Sequence, residues 1–158
     1  MLKIVTGENN EILRAKSQPV FEITADIKKL IKNMLKTLKK AKGLGIAAPQ
    51  IGENLRIIIV KINHGSLTEL IIPMINPDII EFSDEQEIAE EGCLSLPEIY
   101  GNVKRAKEVK VKFKTFKGDP QILTLQNLNA RVVQHEFDHL EGVLFIDRVI
   151  EEEEQLVF

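Results

Sequence analysis

His135-Glu136-Phe137-Asp138-His139 sets two imidazoles four residues apart with a carboxylate between them. On a helix, such a pair lies on one face, one turn apart, so two ring nitrogens can grip one metal ion. Glu136 is then placed to act on a metal-bound water. A catalytic site of this kind keeps three protein ligands and one open position, so a third ligand is required. The metalloprotease continuation His-x-x-Gly-x-x-His is only half met: Gly142 is present, but Phe145 stands where the third histidine belongs. A glutamate further down the chain would come from Glu151 to Glu154, a like-charged terminal run suited to solvation. The single cysteine, Cys93, in Glu91-Gly92-Cys93-Leu94-Ser95, is the better candidate. Beside a metal, its thiolate form is strongly favoured.

Gly43-Leu44-Gly45-Ile46-Ala47-Ala48-Pro49-Gln50 is a third cluster. Its small residues allow close backbone approach, and Gln50 offers a donor at its end. No Lys-Ser/Thr follows, so a phosphate loop is not expected.

These residues need elements to hold them. A helix is predicted from about Leu128 to Leu140, with Asn127 or Asn129 as N-cap and Gly142 just beyond its end. Leu128, Val132, His135 and His139 recur on one face of it, which turns the histidines toward the interior. An N-terminal amphipathic helix is predicted from about Ala25 to Ala41, capped by Thr24 and stopped at Gly43. Its lysines read as a solvated face. Strands are predicted over Arg56 to Ile62 and over Leu67 to Ile75, where Pro73 marks an edge or a break. Glu108 to Phe116 alternates apolar and lysine, and Gln121 to Leu125 pairs back after Lys117-Gly118-Asp119-Pro120. The expected fold is α+β, with antiparallel β-sheets around a central H-E-x-x-H metal-binding helix.

Composition bounds the class. At 158 residues, 44% hydrophobic and 28% charged, the chain reads as one globular domain, residues 1–158. A net charge of −3 gives no basic footprint and no direct nucleic-acid site. One cysteine excludes a disulfide-stapled scaffold. No apolar run reaches the ~20 residues of a membrane span, and the N-terminus does not read as a signal peptide. A soluble, cytoplasmic protein is expected.

Together, Gly43-x-Gly45-Ile46-Ala47-Ala48-x-Gln50, Glu91-Gly92-Cys93-x-Ser95 and Gln134-His135-Glu136-x-Asp138-His139-Leu140-x-Gly142 resemble the three signature motifs of peptide deformylases, in the family's order. The resemblance implies removal of the N-formyl group from the formylmethionine of new polypeptides, with a metal-bound hydroxide as nucleophile. It implies Cys93, His135 and His139 as metal ligands and Glu136 as general acid/base. Gln50 and the Leu94 N–H would hold the oxyanion. Leu44 and Gly45 would offer backbone to the substrate, and Val132 and Leu94 would line the methionine pocket. Iron(II) is the implied native ion, with zinc, nickel or cobalt able to occupy the site. Transient ribosome contact is a further implication, linked in bacterial members to a longer, basic C-terminal helix. This chain instead ends soon after an acidic run. Arg131 also departs from the pattern, standing where an apolar neighbour of the pocket belongs; it either points outward or narrows substrate choice. Two other classes compete: a zinc endopeptidase, which needs a third ligand other than Cys93, and a metal-binding module without catalysis, which needs neither Glu136 nor Gln50.

Overall fold

The structure is a computed structural model that describes residues 2–150; the acidic run at 151–154 lies outside the described residues. The elements follow in the order α1 (Glu11–Arg14), α2 (Ala25–Ala41), β1 (Gly45–Ala47), β2 (Ile57–Ile62), β3 (Leu70–Phe82), β4 (Gln86–Cys93), β5 (Leu96–Ala106), β6 (Glu108–Lys114), β7 (Pro120–Gln126) and α3 (Asn127–Leu140). Five strands form an antiparallel sheet in the order β1-β2-β3-β6-β7, and β4 and β5 form a separate hairpin. The architecture is α+β.

β2 shows why the layers stack as they do. Its sequence, IIIVKI, is apolar on both faces, the pattern of a strand covered on both sides. Ile57 and Ile59 join Ile31, Met34 and Leu38 of α2 in one core cluster. Ile58 and Val60 join Val132, Val133 and Leu140 of α3 in another. Full burial of each such side chain contributes about 1.5–3 kcal/mol. The two helices thus clamp the sheet from opposite faces, and α3 is held against β1 and β2.

Several local features differ from the sequence reading. Thr24 caps α2 by accepting from the Ile27 N–H (3.3 Å), but the left-handed residue that ends the helix is Lys42, at φ 56°, one before Gly43. β3 runs through Pro73 without a break. Pairing with β6 begins only at Ile75, so Pro73 has a partner strand on one side alone and is locally at an edge. Neither Asn127 nor Asn129 caps α3; the N-cap is Gln126, without a side-chain bond. Asn129 instead ties α3 to the β2–β3 turn, accepting from the Asn63 N–H (2.9 Å). The β4–β5 hairpin was not predicted. β4 reads QEIAEEGC, whose glutamates have low strand propensity.

Candidate metal centre

Three elements converge on one cleft. α3 brings His135, Glu136 and His139, the tip of the β4–β5 hairpin brings Cys93, and the 3₁₀ turn Ala48–Ile51 after β1 brings Gln50. Cys93 Sγ lies 3.4 Å from His139 Nε2. Cys93, His135 and His139 offer ligand atoms that all lie within 4.8 Å of one another. His135 Nδ1 is hydrogen-bonded to Glu91 Oε1 (2.9 Å), which leaves Nε2 to face the cleft. One soft sulfur and two imidazole nitrogens on this spacing are a donor set that fits a divalent ion.

The electrostatics follow from burial. Burial pushes the Glu136 carboxyl up to about 7, against the opposing pull of His135, and its Oε1 has no hydrogen-bond partner among the described residues. His135 is pushed up to about 10: burial works against the charged ring, but Glu136, Cys93 and Glu91 outweigh it. Burial and the neighbouring His135 charge push His139 well below its ordinary range. For Glu91, burial favours the neutral acid, yet the bonds from His135 and Arg105 hold the carboxyl well below the usual carboxylate range.

Gln50 is 1% exposed and firmly oriented. Its Oε1 accepts from the Ala47 N–H (2.9 Å), so its amide nitrogen must point the other way. Nε2 lies 3.2 Å from Ser95 Oγ and 3.5 Å from Cys93 Sγ. Gly45 packs directly against Glu136; a Cβ there would stand 2.7 Å from both Cγ and Oε2 of the glutamate. Glycine is therefore demanded by space. Lys61 N–H donates to the Leu44 carbonyl (2.8 Å), and among the described residues β1 has a partner strand on one side only. Backbone groups alternate along a strand, so those of Gly45 turn toward the open edge.

Leu44, Gly45, Gln50, Cys93, Leu94, Val132, His135 and Glu136 all line a cleft of about 500 Å³, and His139 adjoins it through its contact with Cys93. Leu128 does not share the buried environment of the histidines; it is 48% exposed at the cleft mouth. Arg131 does not point outward. It is 8% exposed and bonded to Glu91. Sequence reasoning assigned no role to Glu91, Ser95 or Arg105. The first two stand beside Cys93 in its motif, whereas Arg105 carries no local signal because its partners, Glu91 and Asp138, are distant in sequence.

A sequence model of the family described as polypeptide deformylase matches residues 1–155. Peptide deformylase of Desulfitobacterium hafniense is 45% identical over 139 residues, 88% of this chain and 89% of that protein. The crystal structure of peptide deformylase from Thermotoga maritima matches with a TM-score of 0.88 at 40% identity, covering 96% of this chain and 99% of that one. A Met-Ala-Ser bound class I type b peptide deformylase from Acinetobacter baumannii gives a TM-score of 0.86 at 38% identity, over 94% of this chain and 98% of that one.

Proposed function

The chain belongs to the peptide deformylase family, and from that premise we propose how its own residues carry out the reaction. The activity is hydrolysis of the N-formyl group from nascent formylmethionyl polypeptides, a step of protein biosynthesis. Cys93, His135 and His139 hold a divalent ion, natively iron(II), with zinc, nickel or cobalt able to take its place. When bound, the ion supplies Lewis acidity that makes water nucleophilic near neutral pH. Glu136 accepts the proton of the attacking water and delivers it to the departing amine. The Gln50 amide and the Leu94 N–H donate to the oxygen on which negative charge collects. Gly45 pairs with the peptide as with an added strand, and Leu44 borders it. Val132 and Leu94 line the methionine pocket. Glu136 pressed against Gly45 leaves little width, which suits a formyl group over a larger acyl group.

The observation that carries this reading is the convergence of one thiol, two imidazoles, a buried carboxyl and an oriented amide on one cleft. The relative with Met-Ala-Ser bound supports a peptide as the occupant. The endopeptidase alternative is not favoured, since Cys93 stands beside the histidines it would have to leave. We extend the reading to a single catalytic domain over residues 1–158, with α3 as its central metal-binding helix and α2 as its N-terminal amphipathic helix. The reading also includes a cytoplasmic location, where formylated chains are made, and at most transient ribosome contact. Formate release from formyl-Met-Ala-Ser, assayed without oxygen alongside metal analysis of the same sample, tests the assignment. A fully metal-loaded protein that releases no formate would overturn it.

A further inference from the structure

Arg131 lines the cleft yet is buried, and its guanidinium makes three hydrogen bonds. Its Nη1 donates to Glu91 Oε2 (2.7 Å) and to the Val103 carbonyl (2.9 Å), and its Nη2 donates to the Glu87 carbonyl (2.7 Å). Glu91 also receives Arg105 Nε (2.9 Å) on Oε2, and on Oε1 it meets Arg105 Nη2 (2.9 Å) and His135 Nδ1 (2.9 Å). A carboxylate has about four lone-pair sites, so these bonds saturate it. Arg105 divides its fork, since its Nη1 is taken by Asp138 (2.6 Å).

Arg131 and His135 stand at i and i+4 on α3 and reach opposite oxygens of one carboxylate. The helix fixes their separation. Glu87 lies on β4 and Val103 on β5, so the same guanidinium also grips both strands of the hairpin that carries Cys93.

The geometry points to Arg131 as a positioning residue for the metal ligand His135: it locks Glu91 and the hairpin so that Glu91 can hold His135 Nδ1 and turn Nε2 into the cleft. This rests on the proposed ligation by His135. A planar fork with several fixed donors suits the task, and a lysine cannot replace all three bonds in the same directions. Loss of a group that orients a metal-ligating histidine costs about 10–100-fold in metal affinity or activity.

The test compares wild type with Arg131→Met, which keeps the apolar stem, with Arg131→Lys, and with Arg148→Met. Among the described residues, Arg148 bonds to the far end of the network, donating to Asp138 from Nε (2.7 Å) and Nη2 (3.1 Å). Zinc affinity is read by chelator competition, site geometry by the visible absorption of the cobalt(II) form, and kcat and KM on formyl-Met-Ala-Ser at saturating metal. Arg131→Met should weaken zinc binding by about 10–100-fold, shift the cobalt band and lower kcat more than KM. The lysine variant should recover part of each. Arg148→Met should leave the cobalt band in place and zinc affinity nearly unchanged. Wild-type affinity and an unshifted band in Arg131→Met overturn the proposal, as does an equal loss in Arg148→Met, which would indicate general loosening. Should the methionine variant not fold, the lysine variant decides by the same two readouts. Absence of deformylation by wild type would refute the proposed function, while the zinc and cobalt comparison would still judge Arg131.

Discussion

Glu136 sits where a carboxylate is hardest to keep charged: buried, with one oxygen lacking a hydrogen bond among the described residues and Gly45 pressed against its stem. Those conditions raise its affinity for a proton, which a group that takes and returns one needs. Glu136→Gln keeps the shape but cannot accept the proton. It is expected to bind metal normally and lose about 10²–10⁴-fold in kcat; turnover within a few-fold of wild type would refute the role. The contribution proposed for Gln50 is different. Its carbonyl is held by Ala47, so its donor is fixed before any substrate arrives. Removing one oxyanion donor costs about 2.7–4 kcal/mol. Gln50→Ala should therefore lower kcat with KM little changed, and a change confined to KM would mark Gln50 as a ground-state binding residue.

α3 is locked to its surroundings by polar side chains as well as by its apolar face. Gln134 is 6% exposed and stands in for a missing strand: it accepts from the Ala106 N–H (3.1 Å) and donates to the Ala106 carbonyl (2.9 Å). This pins the end of β5 to the helix that carries the histidines. Gln134→Leu fills nearly the same volume but leaves both backbone groups unpaired, at roughly 1–3 kcal/mol for each. Urea unfolding of the metal-free protein should show that loss as a lower midpoint with an unchanged slope. An unmoved midpoint would mean that the Ala106 groups find other partners. The elements legible from sequence alone were those with a clean period. In β6, Val109, Val111 and Phe113 are buried on one face while Lys112 and Lys114 are exposed on the other. β4 was illegible because Glu87 and Glu90 face solvent, Glu91 is buried only through distant partners, and the strand is made by its partner β5 and not by its own composition.

For the molecule as a whole, the buried ionisable groups of the site set how stability depends on pH. In the metal-free protein His135 keeps its proton up to about pH 10, whereas an unfolded histidine releases it near 6.5. Between those values the folded state binds more protons than the unfolded one, so stability falls as pH rises. Glu136, raised to about 7, adds a fall between its unfolded value of 4.5 and 7 and none above. Low-lying His139 acts in the opposite direction, but only around and below 6.5. The metal-free protein should therefore lose thermal stability steadily from about pH 7 to 10, and His135→Asn should flatten that slope. Zinc binding must displace the His135 proton, so the loaded protein should lack the decline. Calorimetry of both forms across this range checks it; parallel slopes would refute the assignment. The identity of the ion sets a second behaviour. An open position that admits substrate also admits oxygen, so an iron(II) form should lose activity in air over hours while nickel and zinc forms persist. Equal decay in all three would point to unfolding instead.

Sequence alone determined which groups are candidates for the chemistry. His135, Glu136 and His139 are local, and helical spacing fixes their mutual geometry without reference to the rest of the chain. Cys93 and Gln50 were recognisable by type and motif, but nothing local brings them to the histidines. That juxtaposition depends on β2 being buried on both faces, which seats α3 against β1, and on a hairpin whose strands make each other. The network of Glu91, Arg105, Arg131 and Asp138 belongs wholly to the tertiary structure. Its partners lie as far as 40 residues apart, and a charge read in one dimension does not reveal which opposite charge will share its burial. Arg131 shows this most plainly: the sequence offered an arginine in an apolar place, and only the packing of α3 on the hairpin supplied the carboxylate and two carbonyls that hold it there.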